Sequence, residues 1–339
     1  MKLIALKDVC KINMGQSPNS SSYNDYGDGM PFFQGNADFG ERYPITRVWC
    51  NTPTKIAQAE DILISVRAPI GALNYAKEEC CIGRGIAAIT PDRNKVSQDF
   101  IYWALKGKKA ELNDKGNGST FKAISRKILE ETMIPDINFE QQHKCAENLE
   151  KIYGIIQNRR KELLALDDLI KARFVEMFGD PVANEMGWDT LPLENACKAI
   201  VDCPHSTPSY TKEDTGFRCI RTSIVKKNRI LWDEIEYIPE DEYVKRIQRK
   251  KPDVGDIVYT REGAILGIAA IIDRNCNVAL GQRSMLLSPN IDKCASEFLC
   301  VAMNSDSFLD NALKGVSGSA SPHINVGDIK AFRMIMPPI

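Results

Sequence analysis

The sequence predicts an α+β fold in which two homologous globules are joined by one long helix of coiled-coil type. Three observations predict it. Six sequence blocks occur twice in the same order; each copy alternates short apolar runs with turn residues; and between the copies lies one stretch with apolar residues at steps of three and four.

The repeat sets the organisation. "LKDVCKI" at Leu6 matches "LENACKAI" at Leu193, and "GMPFFQGN" at Gly29 matches "GFRCIRTS" at Gly216, both 187 positions apart. Small insertions then shift the offset: "EDILISVRAPIG" at Glu60 answers "GDIVYTREGAILG" at Gly255, and "IGRGIAAITP" at Ile82 answers "LGQRSMLLSP" at Leu280. "FIYWAL" at Phe100 answers "FLCVAM" at Phe298, and "GNGSTFKAI" at Gly116 answers "VSGSASPHI" at Val316. Each copy closes on a proline-containing tail, "TMIPDI" from Thr132 and "MIMPPI" from Met334.

Within a copy, "DILIS" and "DIVYT" follow a Gly or acidic turn, and "GIAAIT" and "SMLLS" are compact apolar runs stopped by Pro, so both read as strands. Short helices are expected over "SQDFIYWALKG" and "SEFLCVAMNSDSFLDNAL". The connecting stretch, Phe139 to Phe178, carries Cys145, Leu149, Ile152, Ile156, Leu163, Leu166, Ile170 and Met177 on a heptad stripe. Arg159 and Arg173 interrupt it, and "FGDP" ends it with Gly and Pro. A helix of that length spans roughly 60 Å at 1.5 Å per residue, too long for the core of one small globule. A lone amphipathic helix leaves its apolar face in water, so the stripe calls for a partner.

Composition narrows the function. No stretch approaches the roughly 18 apolar residues that cross a bilayer, and the N-terminus lacks a signal-peptide pattern, so a cytoplasmic protein without a membrane role is expected. The 11 cysteines have no C-x-x-C spacing, and His143, His205 and His323 lie far apart in sequence; reduced, buried thiols and no metal site are expected. A net charge of −1 gives no overall signature of a nucleic-acid binder, although "KRIQRKK" at Lys245 and "RRK" at Arg159 are locally basic. No G-x-x-x-x-G-K-[ST] phosphate loop and no Asn-Pro-Pro-Tyr or Asp-Pro-Pro-Tyr motif occurs, which argues against a translocase or an adenine methyltransferase. A nuclease reading would rest on Asp256 and Glu262, but the first copy does not keep Glu262.

Globule, long helix and second globule of the same design resemble the specificity subunit of type I restriction-modification systems, over essentially the whole chain. The resemblance is carried by the "DIL" and "GDIV" strands with their downstream arginines, by the "IGR" and "LGQ" turns, by the Gly-Ser loops, and by "FEQQHKCAENLEKIYGIIQNRRKELLALDDLIKARFVEMFGDP". It implies two target recognition domains, residues 1–138 and 181–339, each reading half of an asymmetric two-part site in double-stranded DNA, with a conserved spacer helix over residues 139–180. It further implies modification subunits docked on the helix and a restriction subunit recruited through the complex. S-adenosylmethionine, ATP and Mg would belong to those partners, this chain being non-catalytic and without a cofactor of its own.

The loops of such domains vary, so chemistry and matched placement point to the reading residues. In the first copy Gln34 and Asn36 offer amides suited to adenine, Arg67 and Arg84 suit guanine or phosphate, and Ser119 and Lys122 lie in the Gly-rich loop. Their counterparts are Arg221, Ser223, Arg261, Gln282, Arg283 and Ser319. The expected docking stripe is Leu149, Ile152, Ile156, Leu163, Leu166, Ile170 and Met177. Since "MIMPPI" stops where the first copy enters its helix, a second spacer helix is expected to be missing, as in a shortened, split or exchangeable specificity locus. The stripe would then be covered by another chain or by self-association.

Overall fold

The structure, a computed structural model, describes residues 2–116, 122–316 and 322–338. It divides into two compact units, Met1–Lys161 and Glu162–Ile339.

In the first unit the main sheet has the order Cys10–Met14, Ile86–Pro91, Ile62–Ser65, Leu73–Tyr75, every pair antiparallel. Beside it, Met30–Phe33 runs parallel to Cys80–Ile82. Leu3–Ala5 pairs with Met133–Pro135, the tail strand. The second unit repeats this strand for strand: Cys197–Asp202, Ser284–Pro289, Ile257–Thr260 and Ala269–Ile271 form the main sheet. Arg218–Ile220 runs parallel to Val278–Leu280, and Asp189–Pro192 pairs with Arg333–Met336. The tails form the same closing strand of one design, but Leu6 N bonds Thr132 O where Leu193 N bonds Phe332 O, so Ile134 matches Met334 and "MIMPPI" is offset by two residues from "TMIPDI".

The turns repeat as well. Glu60 holds φ 70° where Gly255 holds φ 90°, each ahead of the central strand. Asp61 accepts the Gln58 amide at 2.9 Å, and Asp256 accepts the Asp253 amide at 2.9 Å. These carboxylates close turns. The helix expected over "SEFLCVAMNSDSFLDNAL" is two, Ser296–Met303 and Asp306–Leu313, because Ser305 caps the second through its Oγ on the Phe308 amide.

Each unit buries one main core cluster beside smaller ones. In the first, Ile62, Ile64, Ile89, Ile101 and Leu105 have no more than trace exposure. In the second the same role falls to Ile257, Tyr259, Leu287, Leu299 and Met303. Nine of the 11 cysteines are buried. Desolvation pushes the thiols of Cys80 and Cys300 up to about 12, so they act as small apolar residues.

The connecting segment is one helix, Phe139–Phe178. Asn138 starts it by accepting the Gln141 amide, and Gly179 at φ 74° ends it. Its two ends pack through residues outside the predicted stripe. Gln142 and Ala146 are buried in the first unit, Gln142 accepting the Ser97 amide and donating to the Ile137 carbonyl. In the second unit Phe174 and Phe178 pack against Phe298, with ring centroids 4.9–5.4 Å apart. The predicted stripe is exposed throughout, from 41% at Leu149 to 59% at Leu163. No helix among the described residues is long and apolar enough to cross a membrane.

Candidate nucleic-acid interface

In the first unit, backbone hydrogen bonds gather the polar candidates at one end of the main sheet. The turn after Cys80–Ile82 is stitched to the end of Met30–Phe33 by Gly83 N to Phe33 O at 2.8 Å and Gly85 N to Gln34 O at 3.0 Å. Glycine is needed there: a Cβ on Gly83 would lie 3.1 Å from Gln34 Cα and 2.4 Å from its Oε1, and one on Gly85 would lie 2.5 Å from Gln34 O. Val66 N then bonds Gly85 O, and Ile124 N bonds Val66 O, while Arg67 bridges Ala123. Arg84, Arg67 and Lys122 therefore follow one another along a single edge, all exposed.

Ser17 joins this edge from the loop after Cys10–Met14. Its Oγ lies 2.8 Å from Gln34 Nε2, 3.2 Å from Arg84 N and 3.3 Å from Arg84 Nε. The hydroxyl holds an amide and a guanidinium side by side at the surface, the two groups best suited to bidentate contact with adenine and guanine. Asp38 fixes the backbone beneath, accepting from Gln34 N at 2.7 Å and Gly35 N at 3.1 Å. Asn36 opens the short 3-10 turn Asn36–Asp38 and is half-buried.

The second unit builds the corresponding edge with other chemistry. Gly281 N bonds Ile220 O at 2.8 Å, as Gly83 bonds Phe33. Thr207 Oγ1 donates to Gln282 Oε1 at 2.9 Å, as Ser17 engages Arg84. Arg221 pairs with Glu236 at 2.9 Å and lies over the Tyr210 ring at 5.3 Å; burial pushes the Tyr210 hydroxyl up and keeps it protonated. Ser223 is exposed, and its carbonyl accepts from Lys226 Nζ. Arg283 stands where Gly85 stands in the first unit, at φ 71°, a conformation that costs a non-glycine residue roughly 1–2 kcal/mol.

Two expectations need correction. Arg67 and Arg261 are not counterparts: the bridges Arg67↔Ala123 and Glu262↔His323 align Arg67 with Glu262, and Arg261 with Val66. Arg261 is accordingly buried, 7% exposed, with Nε 3.0 Å and Nη2 3.4 Å from the Asp202 carboxylate; His205 Nε2 lies 3.0 Å from Asp202 Oδ2. The basic run from Lys245 is also internally engaged. Arg246 is buried on Glu242, Leu280 O and Ser206, Arg249 donates to Asp202 O, and Lys250 pairs with Asp256 at 2.7 Å. Ser119 and Ser319 lie outside the described residues. Among the described residues no group of three or more His, Cys, Asp or Glu is placed to hold a metal.

Sequence reasoning missed Ser17 and Thr207. Their signal was the polar loop after the first sheet strand in each copy, "GQSPNSSSYNDYGDG" and "CPHSTPSYTKEDTG".

The family description "Type I restriction modification DNA specificity domain" matches residues 1–166. A Methanocaldococcus jannaschii protein described as a type I restriction enzyme specificity subunit is 47% identical over 152 residues, covering 45% of this chain and 36% of that protein. The chain thus spans little more than a third of that relative's length. The MjaIX specificity subunit of the same organism is 23% identical over 98% of this chain and 82% of its own length. A crystal structure of a type I restriction-modification S subunit from M. genitalium covers 98% of this chain and 83% of its own at 15% identity, with a TM-score of 0.53. That likeness is one of fold.

Proposed function

We propose that this chain, similar over residues 1–166 to the type I restriction modification DNA specificity domain, is a specificity subunit that reads an asymmetric two-part site in double-stranded DNA and directs adenine methylation or restriction by partner subunits. One observation carries this reading. At matched places of the internal repeat, a loop hydroxyl orients a polar reading side chain, Ser17 with Arg84 and Thr207 with Gln282, while the surrounding residues differ between the copies. Two edges of one design with different chemistry suit two different half-sites.

In the first unit Gln34 and Arg84 face base edges, and Arg67 and Lys122 hold phosphate; in the second, Gln282, Arg221 and Arg283 read, with Ser223 beside them. The buried Arg261 supports the edge from behind. With a net charge of −1 the chain depends on its partners for most of the phosphate grip. Modification subunits dock on the exposed stripe Leu149, Ile152, Ile156, Leu163, Leu166, Ile170 and Met177. S-adenosylmethionine, ATP and Mg act on those subunits and on the restriction subunit, and this chain performs no chemistry.

The test is the spacing of the target. If the helix is a ruler, half-site centres lie about one DNA turn apart, near 10 bp. A seven-residue insertion in its exposed middle is expected to widen the gap and leave both half-sites unchanged. Methylation-site sequencing of cells carrying the insertion decides it, and altered half-site sequences with an unchanged gap would contradict the reading.

A further inference from the structure

In the first unit the segment after Gln34 is tied to the long helix through an unbroken series of contacts. Asp38 holds the Gln34 and Gly35 amides. Gly40 is clasped at both backbone groups by Asn74, which is 1% exposed: Gly40 N donates to Asn74 Oδ1 and Asn74 Nδ2 donates to Gly40 O, each at 3.0 Å. Tyr75 N donates to Arg42 O at 2.9 Å. The Arg42 guanidinium then lies over the stacked rings of Tyr75 and Tyr102, 5.0 and 5.3 Å from their centroids, and its Nη1 reaches both Glu150 oxygens at 2.7–2.8 Å. Glu150 belongs to the helix Phe139–Phe178.

The second unit lacks a direct tie of this kind at the matching edge; Lys227 reaches the helix only through Asp306, which lies 2.9 Å from Lys227 and 4.0 Å from Lys171 of the helix. There Asn228 takes the place of Arg42, bridging Ala270 of the edge strand. Its Oδ1 accepts from Asn304 Nδ2 at 2.7 Å, a residue at the end of the short helix Ser296–Met303. One design therefore has its reading segment fastened directly to the spacer helix in the first copy, through Arg42 and Glu150, and chiefly to its own globule in the second, where the helix is met only through Asp306.

We propose that Arg42 and Glu150 are positioning residues that hold the Gln34-bearing segment in register with the spacer helix, so that discrimination at the first half-site depends on a contact far from the DNA. This rests on the specificity reading above. Arg42 suits the task because its planar fork meets a carboxylate while its face stacks on two aromatic rings, which a lysine cannot do together. Of the two partners, Glu150 is the better one to vary, since its side chain is half-exposed and glutamine keeps its shape.

The experiment uses the full chain carrying Glu150→Gln or Arg42→Met, with two readouts. Hydrogen exchange on the chain alone is expected to quicken by about tenfold at the amides of residues 36–43, with those of Ile62–Ser65 unchanged. Competition binding by the chain with its modification subunit, using duplexes altered in one half-site at a time, is expected to show about tenfold weaker discrimination at the first half-site and none lost at the second. A merely stabilising contact would lower the melting temperature without singling out one half-site. Unchanged exchange in both variants overturns the coupling, and quickened exchange with unaltered discrimination overturns the positioning role. If the wild-type assembly selects no two-part site, the specificity reading falls instead, and the exchange arm still decides whether the segment is tied to the helix.

Discussion

At the edge of the first unit Arg67, Arg84 and Lys122 stand exposed around Ser17 and Gln34; at the matching edge of the second, cations meet carboxylates. Arg221 pairs with Glu236, Glu262 replaces Arg67, Arg283 lies 4.0 Å from Glu262, and Arg261 is buried on Asp202. The strand order of the main sheet, its central turn and a loop hydroxyl against the Arg84 or Gln282 position recur in both, although the second sheet has five strands in the first unit and three in the second. The difference teaches that the repeat preserves the frame that presents side chains and not the side chains presented. A basic edge and a mixed edge offer different donor and acceptor patterns to a groove, which is what two unlike half-sites require.

The comparison breaks most visibly at Arg261. Removing its side chain leaves the largely buried Asp202 carboxylate with only the exposed His205 beside it, so Arg261→Ala is expected to cost about 3 kcal/mol of folding stability in chemical denaturation. Val66→Ala, at the same place in the first unit, removes only apolar contacts and is expected to cost about 1–2 kcal/mol. Equal losses would mean that the two positions do the same work.

Reading residues come next. Arg84→Ala or Gln34→Ala is expected to lower discrimination by about 1–3 kcal/mol at one half-site, measured by competition binding, with little change in melting temperature. Lys122→Ala is expected to weaken binding to all sequences alike and to reduce the salt slope by about one. The smallest effect on the chain itself belongs to the helix stripe. Leu163→Gln is expected to change folding stability by no more than about 0.5 kcal/mol, because the side chain already faces water, while abolishing capture of a modification subunit. A large loss of stability would show that the stripe is covered within the chain.

What the sequence made legible follows from where the physics is local. Strands bounded by Gly, Asp and Pro, declared twice by the repeat, and a helix with a Gly stop and a 3-4 period declare themselves within a few residues. The packing face at the start of the helix did not, because it includes Gln142, whose burial depends on bonds to Ser97 and the Ile137 carbonyl rather than on hydropathy. The predicted stripe is the more apolar face and the exposed one. Arg67 and Arg261 looked alike for the same reason: an arginine's letter does not say whether a carboxylate waits 59 positions away, as Asp202 does for Arg261. Nor could charge alone show that Arg246, Arg249 and Lys250 bond inward.

The central claim is that each unit reads its own half of the target, and methylation-site sequencing tests it most directly. Two variants are compared with the parent chain, each expressed with its modification subunit: one carries Ser17→Ala, Gln34→Ala and Arg84→Ala, the other Thr207→Ala, Arg221→Ala and Gln282→Ala. The account predicts that the first variant relaxes or changes bases in one half of a two-part methylated site, the second variant does so in the other half, and the gap between them stays constant. A site in which both halves change together in either variant, or in which neither changes, would contradict it.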